Sequence, residues 1–212
     1  MPPVPARVSP DDDLATNRPG ELLREKLDEV APGFWRQLLA MLLGRPSEGD
    51  SWRKGLAGER VIGAELERLT RKGWRVLHSI PLPSGVDIDH LLIGPGGVFS
   101  INTKNHRDAR LWVGDDSVKI GGQSYPYVRK SRAEAQRASS ALTRSCGFAV
   151  DVHAVLAFVD AARVTVVPSL HDVRVVQDRG VAALKGLPRV WTSSDVETIY
   201  GAARNRRTWW NA

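Results

Sequence analysis

At 212 residues, with 42% hydrophobic and 25% charged side chains, the chain has an ordinary globular balance and room for one domain of usual size plus extensions. A single cysteine, Cys146, excludes an internal disulfide partner and any zinc site built from a cysteine cluster, and fits a reducing compartment such as the cytoplasm. The net charge of +6 admits an anionic partner, nucleic acid or an anionic membrane surface, without choosing between them.

The N-terminus MPPVPARVSPDDD carries Pro and Asp where a signal peptide needs an apolar core. No apolar run reaches the ~18–20 residues that span a bilayer. Residues 1–19 are Pro-rich and then acidic, a composition that predicts disorder. Residues 20–43 hold two helical pieces parted by Ala31-Pro32-Gly33. Leu22, Leu23, Leu27 and Val30 recur at helical spacing in the first, and FWRQLLAMLL is apolar almost all round. Two readings stand for this extension: a helix packed on the main domain, or a peripheral membrane anchor with Trp35, Arg36 and Arg45 at the headgroups. Turn formers over 44–51 mark a boundary, so the chain divides into a leader with helical extension (1–50), a main domain (51–192) and a C-terminal helix with a basic, aromatic tail (193–212).

Residues 52–71 read as a helix whose buried stripe is Ile62, Leu66 and Leu69. Glu59 lies at one edge of that stripe and Glu65 flanks the other. Gly73 ends the helix, and 74–80 is a strand in which His78 reads as a satisfied, partly buried histidine.

Strands are predicted over 86–93 and 98–103, joined by the turn Gly94-Pro95-Gly96-Gly97. A hairpin symmetric about that turn makes Leu91 face Ser100, Asp89 face Asn102 and Asp87 face Lys104, all on one face by the period of two. The other face carries Ile88, His90 and Leu92 against Phe99, Ile101 and Thr103. The polar end, two carboxylates, an amide and an ammonium, suits a hard divalent cation and a water to be activated. It equally suits a solvated cross-strand ion pair between Asp87 and Lys104, contributing roughly 0–1 kcal/mol.

The string Ile88-Asp89-His90 through Thr103-Lys104-Asn105 resembles the core of the nuclease-related domain, NERD, a family of the PD-(D/E)XK nuclease superfamily. The superfamily signature is an Asp on one strand, then an acidic residue, any residue and Lys on the next. Asp89 and Lys104 match it, whereas Asn102 stands in the acidic position. The resemblance implies a metal-dependent nuclease, with Mg²⁺ or Mn²⁺ held by Asp89, the Asn102 side-chain oxygen and the Thr103 backbone carbonyl. Lys104 would orient or activate water. GLAGERV also resembles the family's opening segment, which implies that Glu59 points at the hairpin. An amide supplies no charge, so the metal would be held less tightly, and Asn102→Glu is expected to raise activity.

Farther on, two short strands are predicted over 110–113 and 117–120, then a basic helix over 126–145 with Glu134 as its one acidic residue. Where the family often has Asn-Pro and a Gln three residues after the Pro, this chain has Tyr125-Pro126 and Arg129, with Gln136 farther along. Arg107, Arg129, Lys130 and Arg132 are candidate phosphate contacts, against the alternative of a solvated helix face. His90 reads as structural, and His106 as a weak phosphate candidate. A central strand over 151–159, short strands over 164–167 and 173–176, a short helix over 180–187 and a last helix with a Ser194–Glu197 capping box follow. The tail sets Arg204, Arg206 and Arg207 beside Trp209 and Trp210, which suits nucleic acid, membrane, or docking on the domain.

The expected fold is α/β: one mixed sheet of about five or six strands flanked by helices, a restriction-endonuclease-like core with an N-terminal extension. Three functions stay open. They are a metal-dependent nuclease acting on DNA, a nuclease-like domain that binds nucleic acid without cutting, and a membrane-associated interaction module.

Overall fold

Alternating and fully apolar strand runs, punctuated by glycine turns, build two mixed sheets rather than one. The computed structural model describes residues 8–24, 48–83 and 85–212. In chain order these hold helix α1 (Glu48–Glu67), strands β1 (Arg75–Pro81), β2 (Asp87–Gly94), β3 (Gly97–Asn105), β4 (Arg110–Val113), β5 (Val118–Ile120) and β6 (Gln123–Tyr125), helix α2 (Tyr127–Cys146), strands β7 (Val152–Val159), β8 (Arg163–Val166) and β9 (Val173–Gln177), and helix α3 (Ser193–Ala203). The main sheet has the order β1-β2-β3-β7-β9 and the smaller one β6-β5-β4-β8. In the main sheet β1, β2 and β3 are antiparallel and β3, β7 and β9 parallel. Strand β6 was not expected from sequence: QSY is too short and polar for a period to show.

Each face of the main sheet carries its own core. Ile62 and Leu66 of α1, with Leu69 of the 3-10 turn that follows it (Arg68–Lys72), pack on Leu92, Phe99, Ile101, Val155 and Ala157. Val128, Ala135, Ala138 and Leu142 of α2, with Val196 and Ile199 of α3, pack on Leu91, Ile93, Val98, Leu156 and Phe158. Gly58 lets α1 approach β3 closely, since a Cβ there would stand 3.1 Å from the Asn105 Cβ. The last helix is capped two residues earlier than the sequence suggested: Thr192 and Asp195 form the capping box, not Ser194 and Glu197.

The leader is the larger correction. Residues 8–19, expected to be disordered from their acidic, Pro-rich composition, dock on the domain. Leu14 is 1% exposed inside the main core. Asp13 pairs with Arg204 and Asp12 with Arg207 at 2.8 Å, so the tail neutralises the acids. Ser79, at φ 47, accepts from the Glu21 N–H at 3.0 Å, donates to the Arg18 carbonyl at 3.2 Å, and its own carbonyl accepts from Asn17 at 2.9 Å. The tail is folded back too, with Trp209 1% exposed and its indole N–H on the Ala203 carbonyl at 2.8 Å. Most of the proposed membrane anchor in 20–43, including Trp35 and Arg36, lies outside the described residues, as does Arg45. Among the described residues, no helix is long and apolar enough to cross a membrane.

Leu14→Ala therefore costs about 2–5 kcal/mol in urea-induced unfolding, the usual range for emptying a buried leucine site. A leader without a docked position would leave the midpoint unchanged.

Candidate active site

The site begins where the hairpin comes apart. Strands β2 and β3 keep the expected register from Gly94 with Gly97 to His90 with Ile101, and their pairing ends there. Beyond it, β2 stays with β1 as far as Asp87 opposite Pro81, while β3 stays with β7 as far as Asn105 opposite Val159. The expected ladder pairs Asp89–Asn102 and Asp87–Lys104 do not form. Instead the Asp89 carboxylate accepts the Thr103 backbone N–H at 2.6 Å, taking the place of a strand carbonyl. The splay leaves a cleft with two mouths. One, a cavity of about 440 Å³ on the α2 side, is lined by Asp87, Asp89, Asn102, Lys104, Tyr127, Lys130, Glu134 and Arg137. The other, about 570 Å³ on the α1 side, is lined by Glu59, Asp87, Asp89, Thr103, Lys104, His106, Arg107 and Tyr127 among others. Asp89 and Lys104 thus face the same opening from adjacent strands.

The acidic position empty at Asn102 has a carboxylate beside it. Glu134, one helical turn past Lys130 on α2, is 4% exposed. Its carboxylate accepts from the Ser100 hydroxyl and from the Asn102 amide at 2.9 Å. In the sequence it read as one acid in a basic helix. The signal that could have found it is its placement: Ser131, Ala135, Ala138 and Leu142 form the buried stripe of α2, and Glu134 lies on that stripe. Its neighbour Ala133 is small, which leaves the carboxylate room in the cavity wall.

Glu59 reaches the cleft from α1 and is buried. Glu65 does not: it pairs with Arg68 at 2.6 Å and Arg179 at 3.4 Å. Lys104 donates to the Thr103 carbonyl at 2.8 Å and stands 5.6 Å from the Tyr127 ring centroid. Lys130 and Arg107 line the two mouths, Arg129 is exposed outside them, and Arg132 is held by Asp172 and by Asp116 at 3.0 Å. Arg137 joins the α2-side wall unannounced by the sequence. His90 lies away from the cleft, its Nδ1 2.8 Å from that of His78. His106 is at the α1 mouth, 3.2 Å from the Tyr127 hydroxyl.

The profile of the nuclease-related domain (NERD) family matches residues 54–159. The chain belongs to that family. The family is one of the PD-(D/E)XK-like nucleases. An uncharacterised protein of Bacillus anthracis is 37% identical over 57 residues, covering 25% of this chain and 27% of that protein. No solved structure matches.

Electrostatics set the cleft of this NERD domain apart from a solvated sheet face. Burial, then the Asp89 and Asp87 charges, push Glu59 up to about 9. Burial raises Asp89 to about 6 against the pull of Lys104. Burial and the Asp89 charge raise Glu134 to about 7. Three carboxylates that resist ionising together are short of positive charge. Glu59 Oε2 and Asn102 Oδ1 are buried without a hydrogen-bond partner, an unfavourable state that a cation would relieve. Among the described residues, no three His, Cys, Asp or Glu side chains are gathered at ligand spacing. The donor types nevertheless fit a hard divalent cation, which takes carboxylate and amide oxygens.

The pH dependence of stability follows. A carboxyl group with a raised folded-state pKa is unpenalised below its ordinary pKa and destabilises the fold as pH rises through the folded value. The buried histidines His78 and His90, lowered by burial, act in the opposite sense at the acid end. Comparison with Glu134→Gln isolates the glutamate: in EDTA, the variant's urea midpoint gains on wild type as pH rises from about 5 to about 9. A difference that does not change with pH would contradict the assignment.

Proposed function

We propose that this NERD domain is a metal-dependent nuclease that hydrolyses phosphodiester bonds of DNA, and that Glu134 supplies the carboxylate missing at Asn102. The observation that carries this reading is the meeting of Asp89, Glu134 and Lys104 at one cleft, with Asn102 bonded to Glu134 at 2.9 Å. Asp89, Glu134 and the Asn102 side-chain oxygen would hold Mg²⁺ or Mn²⁺. The bound ion would supply Lewis-acid stabilisation of charge on the phosphate and lower the pKa of a water. Lys104 turns from the Thr103 carbonyl to orient the attacking water and meet developing phosphate charge, and that carbonyl becomes free as a further oxygen donor. Glu59, kept protonated by its burial, donates a proton on the α1 side of the cleft. Lys130 and Arg107 contact flanking phosphates. Arg132, saturated by acids, holds the β4–β5 turn to α2 instead.

This geometry reverses the expectation for Asn102→Glu. A second carboxylate there would abut Glu134, and like charges at that distance repel. With plasmid and single-stranded DNA in Mn²⁺, Lys104→Ala, Asp89→Asn and Glu134→Gln each lose about 100-fold or more of turnover. Asn102→Glu alone does not gain. Asn102→Glu combined with Glu134→Gln recovers about tenfold over Glu134→Gln alone, since it returns the acid to the strand. Wild type that binds DNA but fails to cut it in either Mg²⁺ or Mn²⁺ would replace this reading with that of a nuclease-like binding module.

A further inference from the structure

The smaller sheet turns one face to solvent, and that face is basic. Along β4 the side chains alternate, with Leu111 and Val113 buried and Arg110 and Trp112 exposed. Register carries the exposed set across the sheet: Arg110 lies beside Arg163, Trp112 beside Thr165 on β8, and Trp112 beside Lys119 on β5. Two arginines side by side on neighbouring strands repel, and such a pair destabilises a sheet unless something anionic joins it. Among the described residues, Arg110, Arg163 and Lys119 make no ion pair, while the acids of the β4–β5 turn are taken by Arg132 and Ser169. Trp112 is 42% exposed, unusual for an indole on a soluble surface. It lies against Gly114, where a Cβ would stand 2.7 Å from the ring, and Lys119 Nζ is 5.1 Å from its centroid.

This face is continuous with the cleft. Arg107 and Ala109 line the α1-side mouth, and Arg110 follows them directly. The Ala109 carbonyl also accepts the N–H groups of Ala162 at 2.9 Å and Arg163 at 3.4 Å, so β4 and β8 both start at the mouth.

We propose that the outer face of this sheet is a track for single-stranded nucleic acid leaving the cleft. Arg110, Arg163 and Lys119 meet phosphates, and Trp112 stacks an unpaired base. Cations spaced around one exposed indole are the chemistry that grips a strand whose bases are free. A duplex offers phosphates but no accessible base face, so it would use the arginines alone. The inference rests on the nucleic-acid reading of the cleft, but not on cleavage.

The test is binding in EDTA, where turnover cannot contribute. A fluorescein-labelled 20-nucleotide oligothymidylate is titrated into the full chain by anisotropy, at several salt concentrations. Trp112→Ala weakens binding by about tenfold. Arg110→Gln with Arg163→Gln reduces the magnitude of the salt slope by about 1.4, the value for two single-strand phosphate contacts. A 20-base-pair duplex responds to the arginine pair and not to Trp112→Ala. Oligothymidylate affinity unmoved by Trp112→Ala, or equal sensitivity of the duplex, overturns the track. So does binding to phosphatidylglycerol vesicles, but not to the oligonucleotide, that needs the same residues. Because Lys104→Ala and Glu134→Gln retain this face, a chain that binds as predicted yet never cuts leaves the track standing and removes only the hydrolytic reading.

Discussion

The parting of β2 from β3 below His90 and Ile101 is the constraint on which the site depends. Asp89 takes the Thr103 N–H that a strand carbonyl would otherwise take, so the ladder closes on a side chain and the two strands diverge. A closed hairpin would turn the polar end into a solvated ion pair of little consequence. An open one makes a cleft walled by both helix layers. Glu59 can then approach from α1 and Glu134 from α2, on opposite faces of the same sheet.

Packing explains why those carboxylates are held in place. The Gly58 contact lets α1 lie close on β3 and carries Glu59 inward. The small residues of α2, Ala135 and Ala138, bring that helix down on the other face, with Ser131 and Glu134 buried between helix and sheet. Burial costs a carboxylate more when it is ionised, which is why Glu59, Asp89 and Glu134 all hold their protons to higher pH than usual. The fold thus stores an unmet requirement for positive charge at one place. The docked leader adds to the enclosure: Gly20 lies beside the Glu59 carboxylate, and Leu23 joins the α1-side wall.

The hairpin was the most legible part of the sequence. Its alternation and its GPGG turn specified the register through five facing pairs, because a one-residue slip would turn the apolar set outward. The lower pairs failed since no propensity reports that a side chain will replace a carbonyl in a ladder. Glu134 was missed for a related reason. On a helix rich in arginine a lone acid reads as charge balance, and only its place on the stripe of Ala135, Ala138 and Leu142 marks it as buried. The leader was misread because acidic, Pro-rich composition describes an isolated segment. Its partners, Arg204 and Arg207, lie about 190 positions along the chain, with separations of 191 for Asp13 to Arg204 and 195 for Asp12 to Arg207. Those same partners account for part of the tail: Arg204, Arg207 and Trp209 hold the leader and the core, while Arg206 and Trp210 stay exposed.

The displacement of the acid from strand to helix is the central claim, and anomalous diffraction from crystals grown with Mn²⁺ tests it most directly. The expected result is a single peak in the cleft with carboxylate oxygens of both Asp89 and Glu134 at about 2.0–2.3 Å, the span of first-row and magnesium-like oxygen distances. A peak ligated by Asp89 while Glu134 stays on Ser100 and Asn102, or no peak in the cleft, would contradict it.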